Sequence, residues 1–178
     1  MGSLVRVPVR MTELIRATSA EHFAQFRELV DELMAWDSAM SAQLGLDVDS
    51  MLDFLYSQPG DIDPDQANVD VFLATYEGSL AGCAALKHLS NEVVELSRLY
   101  VRPAYRGRGL ARKILDAVVA SARTRGYKSL CLETATFMTD AHALYRSVGF
   151  RETEPFRDVP EGLQDAEVFM SLRLAEAT

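Results

Sequence analysis

The alternation of apolar and polar positions divides the chain into short runs of period two and longer runs of period 3.6. Glu13 to Ala17 (ELIRA) reads as a strand, and Thr18 with Glu21 forms a capping box ahead of a helix. Phe23, Phe26, Val30 and Leu33 recur at spacings of three and four, so they share one face, and the pattern fades after Trp36. A second, shorter helix is predicted over Asp49 to Tyr56, stopped by Gln58, Pro59 and Gly60, with the loop DIDPDQAN behind it. Val69 to Tyr76, the Glu77-Gly78 turn and Ser79 to Leu89 form a hairpin pattern, and a third strand runs from Glu92 to Val101. Pro103 ends that strand, because proline cannot donate to a ladder. Ile114, Leu115, Val118, Val119 and Ala122 then mark the buried face of a helix from about Leu110 to Arg125.

The rest continues the alternation. A strand spans Lys128 to Thr134, a helix Met138 to Val148 stops at Gly149, and two strands cover Phe150 to Thr153 and Glu167 to Leu174. The order βααβββαβαββ predicts one α/β (α+β) domain over 13–174: a mixed, mostly antiparallel sheet with helices on both faces. Residues 1–12 are expected to be a poorly ordered N-terminal extension, and the tail after Leu174 is the only soft boundary.

Composition fits that picture without changing it. The 178 residues are 48% hydrophobic and 25% charged, the balance of a soluble globular chain. No apolar run approaches the roughly 20 residues of a membrane-spanning helix, and MGSLVRVPVRM lacks the apolar centre of a signal peptide, so a cytoplasmic location is expected. Cys83 and Cys131 lie in apolar, strand-like surroundings without a CxxC partner and read as buried free thiols. His22, His88 and His142 have no ligand spacing, and no metal is expected.

Charge does change the picture. The formal net charge is -8, yet RLYVRPAYRGRGLARK, Arg98 to Lys113, holds six of the 18 Lys and Arg residues and no carboxylate. A strand ending at Val101, a glycine-bearing loop and a helix beginning near Gly109 leave unpaired N–H groups at a helix N-terminus, where the macrodipole favours an anion. Glycine admits the ligand to the backbone, and Arg106, Arg108, Arg112 and Lys113 can pair phosphates beyond it. A Walker A loop needs a hydroxyl after its lysine, whereas Ile114 follows Lys113. A dinucleotide fingerprint needs a third glycine where Arg112 stands. RxxGxA does match, at Arg106, Gly109 and Ala111.

That motif resembles the pyrophosphate-binding motif of the GNAT superfamily, the acetyl-coenzyme A dependent N-acyltransferases. The order of elements and the later ALYRSVGF extend the resemblance over roughly Glu13 to Leu174. It implies acetyl-CoA as co-substrate and no metal. It also implies a pyrophosphate on the amides of Arg106, Gly107, Arg108, Gly109, Leu110, Ala111 and Arg112. The pantetheine arm is expected along the strand Leu99, Tyr100, Val101, added like a further strand where two strands splay apart. Splaying needs a β-bulge, which would expose an amide to polarise the acetyl carbonyl; the sequence does not locate it.

Acetyl transfer needs a neutral amine and a proton for the departing thiolate. A lysine-like amine is only about one part in two thousand unprotonated at neutral pH, so a base accelerates transfer. Glu95, on the strand carrying the arm, is the candidate, acting directly or through a water; its bland reading is a solvated strand carboxylate. Glu133 is the reserve. Tyr145 stands where many members of that superfamily place a general acid, although Ala141, Leu144, Tyr145 and Val148 also make an ordinary apolar face. Where relatives carry a pantetheine-binding asparagine this chain has Met138, so the contact is expected to be lost or to pass to Thr136 or Thr139.

From Glu28 through Leu86 there are 12 Asp or Glu and no Lys or Arg. This segment flanks the acceptor site in proteins the chain resembles, so it suggests a cationic small-molecule or peptide amine, or else a solvated surface. Nucleic acid is disfavoured by the net charge and by the scarcity of stacking residues beside the basic stretch. A homodimer is compatible with the resemblance. The competing reading is a non-catalytic acyl-coenzyme A sensor, which would need neither Tyr145 nor Glu95.

Overall fold

Hairpins at one end and a β-α-β unit at the other build one seven-stranded sheet in the computed structural model, which describes residues 11–56 and 69–174. The strands are β1 (Thr12–Arg16), β2 (Val69–Tyr76), β3 (Ser79–His88), β4 (Val93–Val101), β5 (Ser129–Ala135), β6 (Arg151–Glu152) and β7 (Glu167–Arg173). The helices are α1 (Ala20–Gln43), α2 (Val48–Tyr56), α3 (Leu110–Thr124) and α4 (Thr139–Val148). The sheet runs β1-β2-β3-β4-β5-β7-β6, and only β4 and β5 pair in parallel. The element order is the one the periodicities predict. The helix-stopping residues 58–60, the DIDPDQAN loop and most of the N-terminal extension lie outside the described residues. No helix among the described residues is long and apolar enough to cross a membrane.

Alternation along the strands fixes the two faces. Val71, Leu73, Cys83, Ala85 and Tyr100 pack beneath Phe26 and Leu29 of α1. Phe72, Ala74, Leu86, Val94, Leu130 and Met170 pack on the other face against Leu110, Ile114, Leu115, Val118, Val119 and Ala122 of α3 and Tyr145 of α4. Each fully buried leucine or isoleucine of α3 contributes about 1.5–3 kcal/mol over its exposed state. Both cysteines are free and buried, and burial pushes both thiols up, Cys131 to about 12.

Two local readings shift. Ser19, not Thr18, caps α1, with its hydroxyl accepting the His22 amide at 3.2 Å. The helix also runs on to Gln43, past the point where its apolar pattern fades. The fading has a cause: Trp36, Asp37, Met40 and Ser41 line clefts instead of the core.

The decisive irregularity lies between β3 and β4. Cys83 pairs with Tyr100 and Ala85 with Ser97, so β4 carries one residue more than β3 across this step. That residue belongs to a bulge at Arg98, whose φ of 56° is left-handed. Beside the bulge Gly82, paired with Val101, lets the two backbones close up, because a Cβ there would lie 2.6 Å from the Tyr100 carbonyl oxygen. Gly82→Ala is therefore expected to cost about 2 kcal/mol, a fall of roughly 4–8 °C in Tm for a chain of this size, with calorimetry as the check.

Candidate active site

The bulge parts two strands. β4 and β5 pair only from Val93 with Ser129 to Glu95 with Cys131, whereas β5 stays paired with β7 as far as Ala135 with Glu167. Beyond Glu95 the β4 chain turns away and leaves a gap beside Leu99, Tyr100 and Val101. A cleft of about 640 Å³ occupies it, lined by those three residues, by the loop and first turn of α3, by Trp36 and Met40 of α1, and by Met138, Thr139 and Tyr145.

The floor of this cleft is built to meet an anion. Gly107 and Gly109 take φ values of 72° and 76°, and Gly109 caps α3 without a side chain. Among the described residues the amides of Gly107 through Arg112 meet no acceptor, which leaves a row of donors at a helix N-terminus. Arg106 departs from its expected part: its amide donates to the Pro103 carbonyl at 3.2 Å and its Nε to the Val101 carbonyl at 2.9 Å. It shapes the turn, and the carbonyl of Val101 is already taken.

The other cations of the stretch also have protein partners. Arg108 lies over Tyr76 at 4.9 Å, Arg112 pairs with Asp116 at 2.8 Å, and Lys113 donates to Thr12 at 3.1 Å. These are exposed contacts worth little against a phosphate. Arg102 is held by Glu28 and Glu32. Two carboxylates of the acidic run are thus spent on the basic stretch. A third, Asp70, meets Arg16, His88 and Arg125.

A second chamber, about 100 Å³, opens behind the first and shares Leu33, Leu99, Phe137, Met138 and Tyr145 with it. Its carboxylates come from Asp37, Glu95, Glu133 and Glu167. Of the described acidic residues between Glu28 and Leu86, only Asp37 lines it. Glu95 is 4% exposed, which corrects its reading as a solvated strand carboxylate. Arg157 holds Glu95 at 2.5 Å and reaches Glu133 at 3.4 Å. Burial pushes Glu133 up to about 7, and the neighbouring Glu95 charge adds to the rise while Arg157, Arg98 and Lys87 oppose it. Burial, Glu133 and Asp37 push Glu167 up to about 8.

Tyr145 stands where the two chambers join. It is 7% exposed, its ring packs on Phe150 at 5.7 Å, and its hydroxyl has no partner among the described residues. Burial raises its phenol, so it stays protonated at any physiological pH. Met138 caps α4 with no side-chain bond to the helix, and its sulfur accepts from the Thr134 hydroxyl at 3.7 Å. Thr139 lines the coenzyme-sized cleft and Thr136 does not. His142 is bonded through Nε2 to the Ala135 carbonyl at 3.0 Å.

Arg157 and Glu167 escaped the sequence reading. Arg157 lies outside any strand or helix, and Glu167 opens β7 in an otherwise ordinary EVFMSLR pattern. Only strand pairing, which sets Glu167 opposite Ala135 and Glu133 opposite Phe169, gathers these carboxylates on one face.

Known proteins resemble this chain in sequence and fold. The Acetyltransferase (GNAT) family model matches residues 27–150. The chain is 34% identical over 103 residues to the uncharacterized N-acetyltransferase YjgM of Escherichia coli, covering 56% of this chain and 57% of that protein. It is 36% identical over 106 residues to the uncharacterized N-acetyltransferase YsnE of Bacillus subtilis, covering 58% and 69%. A solved Klebsiella pneumoniae structure assigned as an acyl-CoA N-acyltransferase superposes with a TM-score of 0.69 at 28% identity, over 93% of this chain and 99% of that one. The fold is also that of a GNAT family acetyltransferase of Elizabethkingia anophelis solved with acetyl-CoA bound, with a TM-score of 0.54 at 22% identity over 69% and 88%.

Proposed function

The chain belongs to the GNAT family of acetyltransferases, and from that footing we propose that it moves the acetyl group of acetyl-CoA to a primary amine by direct attack. The observation that carries the reading is the row of free amides from Gly107 to Arg112, opening on a cleft that continues through the β4–β5 gap to a carboxylate chamber. The amides suit the pyrophosphate, and the gap beside Leu99 to Val101 suits the pantetheine arm as an added strand. At the bulge, the Leu99 amide is the candidate to polarise the thioester carbonyl.

Glu133 is the proton acceptor of this scheme and Glu95, fixed by Arg157, the neighbouring anion that sets its affinity for the proton. The ammonium gives one proton to Glu133 and on to solvent; nitrogen then attacks the acyl carbon. The C–N bond forms as the C–S bond breaks. Tyr145 hydrogen-bonds and protonates the leaving sulfur, and the second N–H proton makes good the one it gave.

Acetyl-CoA at a hundredfold excess over its Kd is expected to stabilise the fold by about 2.7 kcal/mol, seen as a rise of roughly 5–10 °C in a thermal-shift assay. ATP and NAD should give no comparable rise. Free-thiol release on adding an amine completes the test. A shift without release from any amine would leave a binding module, and no shift would remove the reading.

A further inference from the structure

Three of the four carboxylates in the inner chamber already have partners. Glu95 is paired with Arg157 at 2.5 Å, and Glu133 lies 3.4 Å from the same guanidinium. Asp37 accepts the Tyr56 hydroxyl at 2.5 Å and feels Arg98. Glu167 is different. It is 8% exposed, and no hydrogen bond or ion pair reaches its carboxylate among the described residues; its Oε1 is wholly buried and unpartnered. Lys87, Arg98 and Arg157 all act on Glu133, whereas Glu167 feels the charges of Glu133 and Asp37 and, among the described residues, no cation that lowers it. Left without a cation such a buried carboxyl keeps its proton, and an ammonium brought by a ligand would draw it to the anion and fill the vacant partner position of Oε1.

The position says which part of the ligand. Glu167 lines both the inner chamber and an outer cleft formed by Pro155 to Val159, Gln164 and Phe169. Tyr145 and Leu99, by contrast, line the boundary with the coenzyme-sized cleft. Glu167 therefore sits on the side of the chamber that meets the outer cleft. The reacting nitrogen must lose its charge before it attacks, so it cannot serve as a lasting partner for a carboxylate. A second ammonium can.

We propose that the acceptor is a short diamine, bound so that one nitrogen faces Glu133 and the acyl carbon while Glu167 holds the other as an ammonium. The inference rests on the acetyltransferase reading above. Glu133 pairs with Phe169 and Glu167 with Ala135, which makes the two glutamates diagonal neighbours on adjacent strands. Such positions lie roughly 7–8 Å apart at the backbone and less at the side chains, within the span of 1,4-diaminobutane.

The test compares 1,4-diaminobutane with n-butylamine, which match in chain length and differ in the second charge. Wild-type protein is expected to show at least a tenfold higher kcat/KM for the diamine, carried by KM, and a thermal shift with the diamine alone that n-butylamine does not give. Glu167→Gln should bring the ratio of the two kcat/KM values close to one and abolish the diamine shift, with the acetyl-CoA shift as the control for folding. Equal use of both amines by wild-type protein, or an undiminished ratio in Glu167→Gln, overturns the diamine proposal and leaves amine acetylation standing. Loss of the acetyl-CoA shift in wild-type protein instead strikes the acetyltransferase reading itself.

Discussion

Tyr145→Phe is expected to lower turnover about a hundredfold and to leave the thermal midpoint and the acetyl-CoA shift as they are in wild-type protein. The substitution removes one oxygen and keeps the ring that packs on Phe150 at 5.7 Å. Since the hydroxyl has no hydrogen-bond partner among the described residues, its removal breaks no bond of the folded chain; burying one polar group fewer costs nothing. A fall in rate would then report on the reaction and not on folding. General acids contribute about 10²–10⁴-fold, and the low end is expected here, because a thiolate whose conjugate acid ionises near 8.5 also takes protons readily from water at neutral pH. The deficit should accordingly appear in kcat, read by thiol release under saturating acetyl-CoA. Undiminished turnover would return Tyr145 to the role of a core tyrosine, which its place among Leu110, Leu132 and Met170 already allows.

Periodicity carries the fold because each buried face is a local property of its element: α3 shows its six core positions in fifteen residues. The donor half of the site was legible for the same reason. Its amides follow one another along a single loop and helix start, so spacing alone exposes them. Side-chain partners were not legible there: nothing in the order of residues says that Arg106 turns back on Val101 or that Arg102 captures Glu28 and Glu32. The acceptor half is a product of pairing between distant strands. Glu95, Glu133, Arg157 and Glu167 meet only because β4, β5 and β7 lie side by side, and of the described residues of the acidic run Asp37 alone joins them. The bulge at Arg98 follows as a necessity from the splayed strands, yet only the register places it, since no residue type marks it in the way glycine marks the close approach of Gly82 to Tyr100.

The pH dependence of kcat/KM separates the two candidate bases. A carboxyl pushed up to about 7 is protonated below that value and cannot accept the ammonium proton; above it the anion is available. With n-butylamine as acceptor, which leaves Glu167 aside, kcat/KM should rise tenfold per pH unit below 7 and level off above it. It should then fall again as the free amine deprotonates near the usual amine range. Glu133→Gln is expected to erase the limb near 7 and to lower the plateau by about 10²–10³-fold. Glu95→Gln is expected to do something different. It removes the charge that raises Glu133 and gives Arg157 to Glu133 alone, so the limb should move to lower pH and survive. Should Glu95→Gln erase the limb while Glu133→Gln keeps it, the proton goes to Glu95, and Glu133 becomes the anion that tunes it. The geometry favours the first outcome: of two buried carboxylates sharing one guanidinium, Glu133 is the one less firmly held by the cation and so the one left free to take a proton near neutrality.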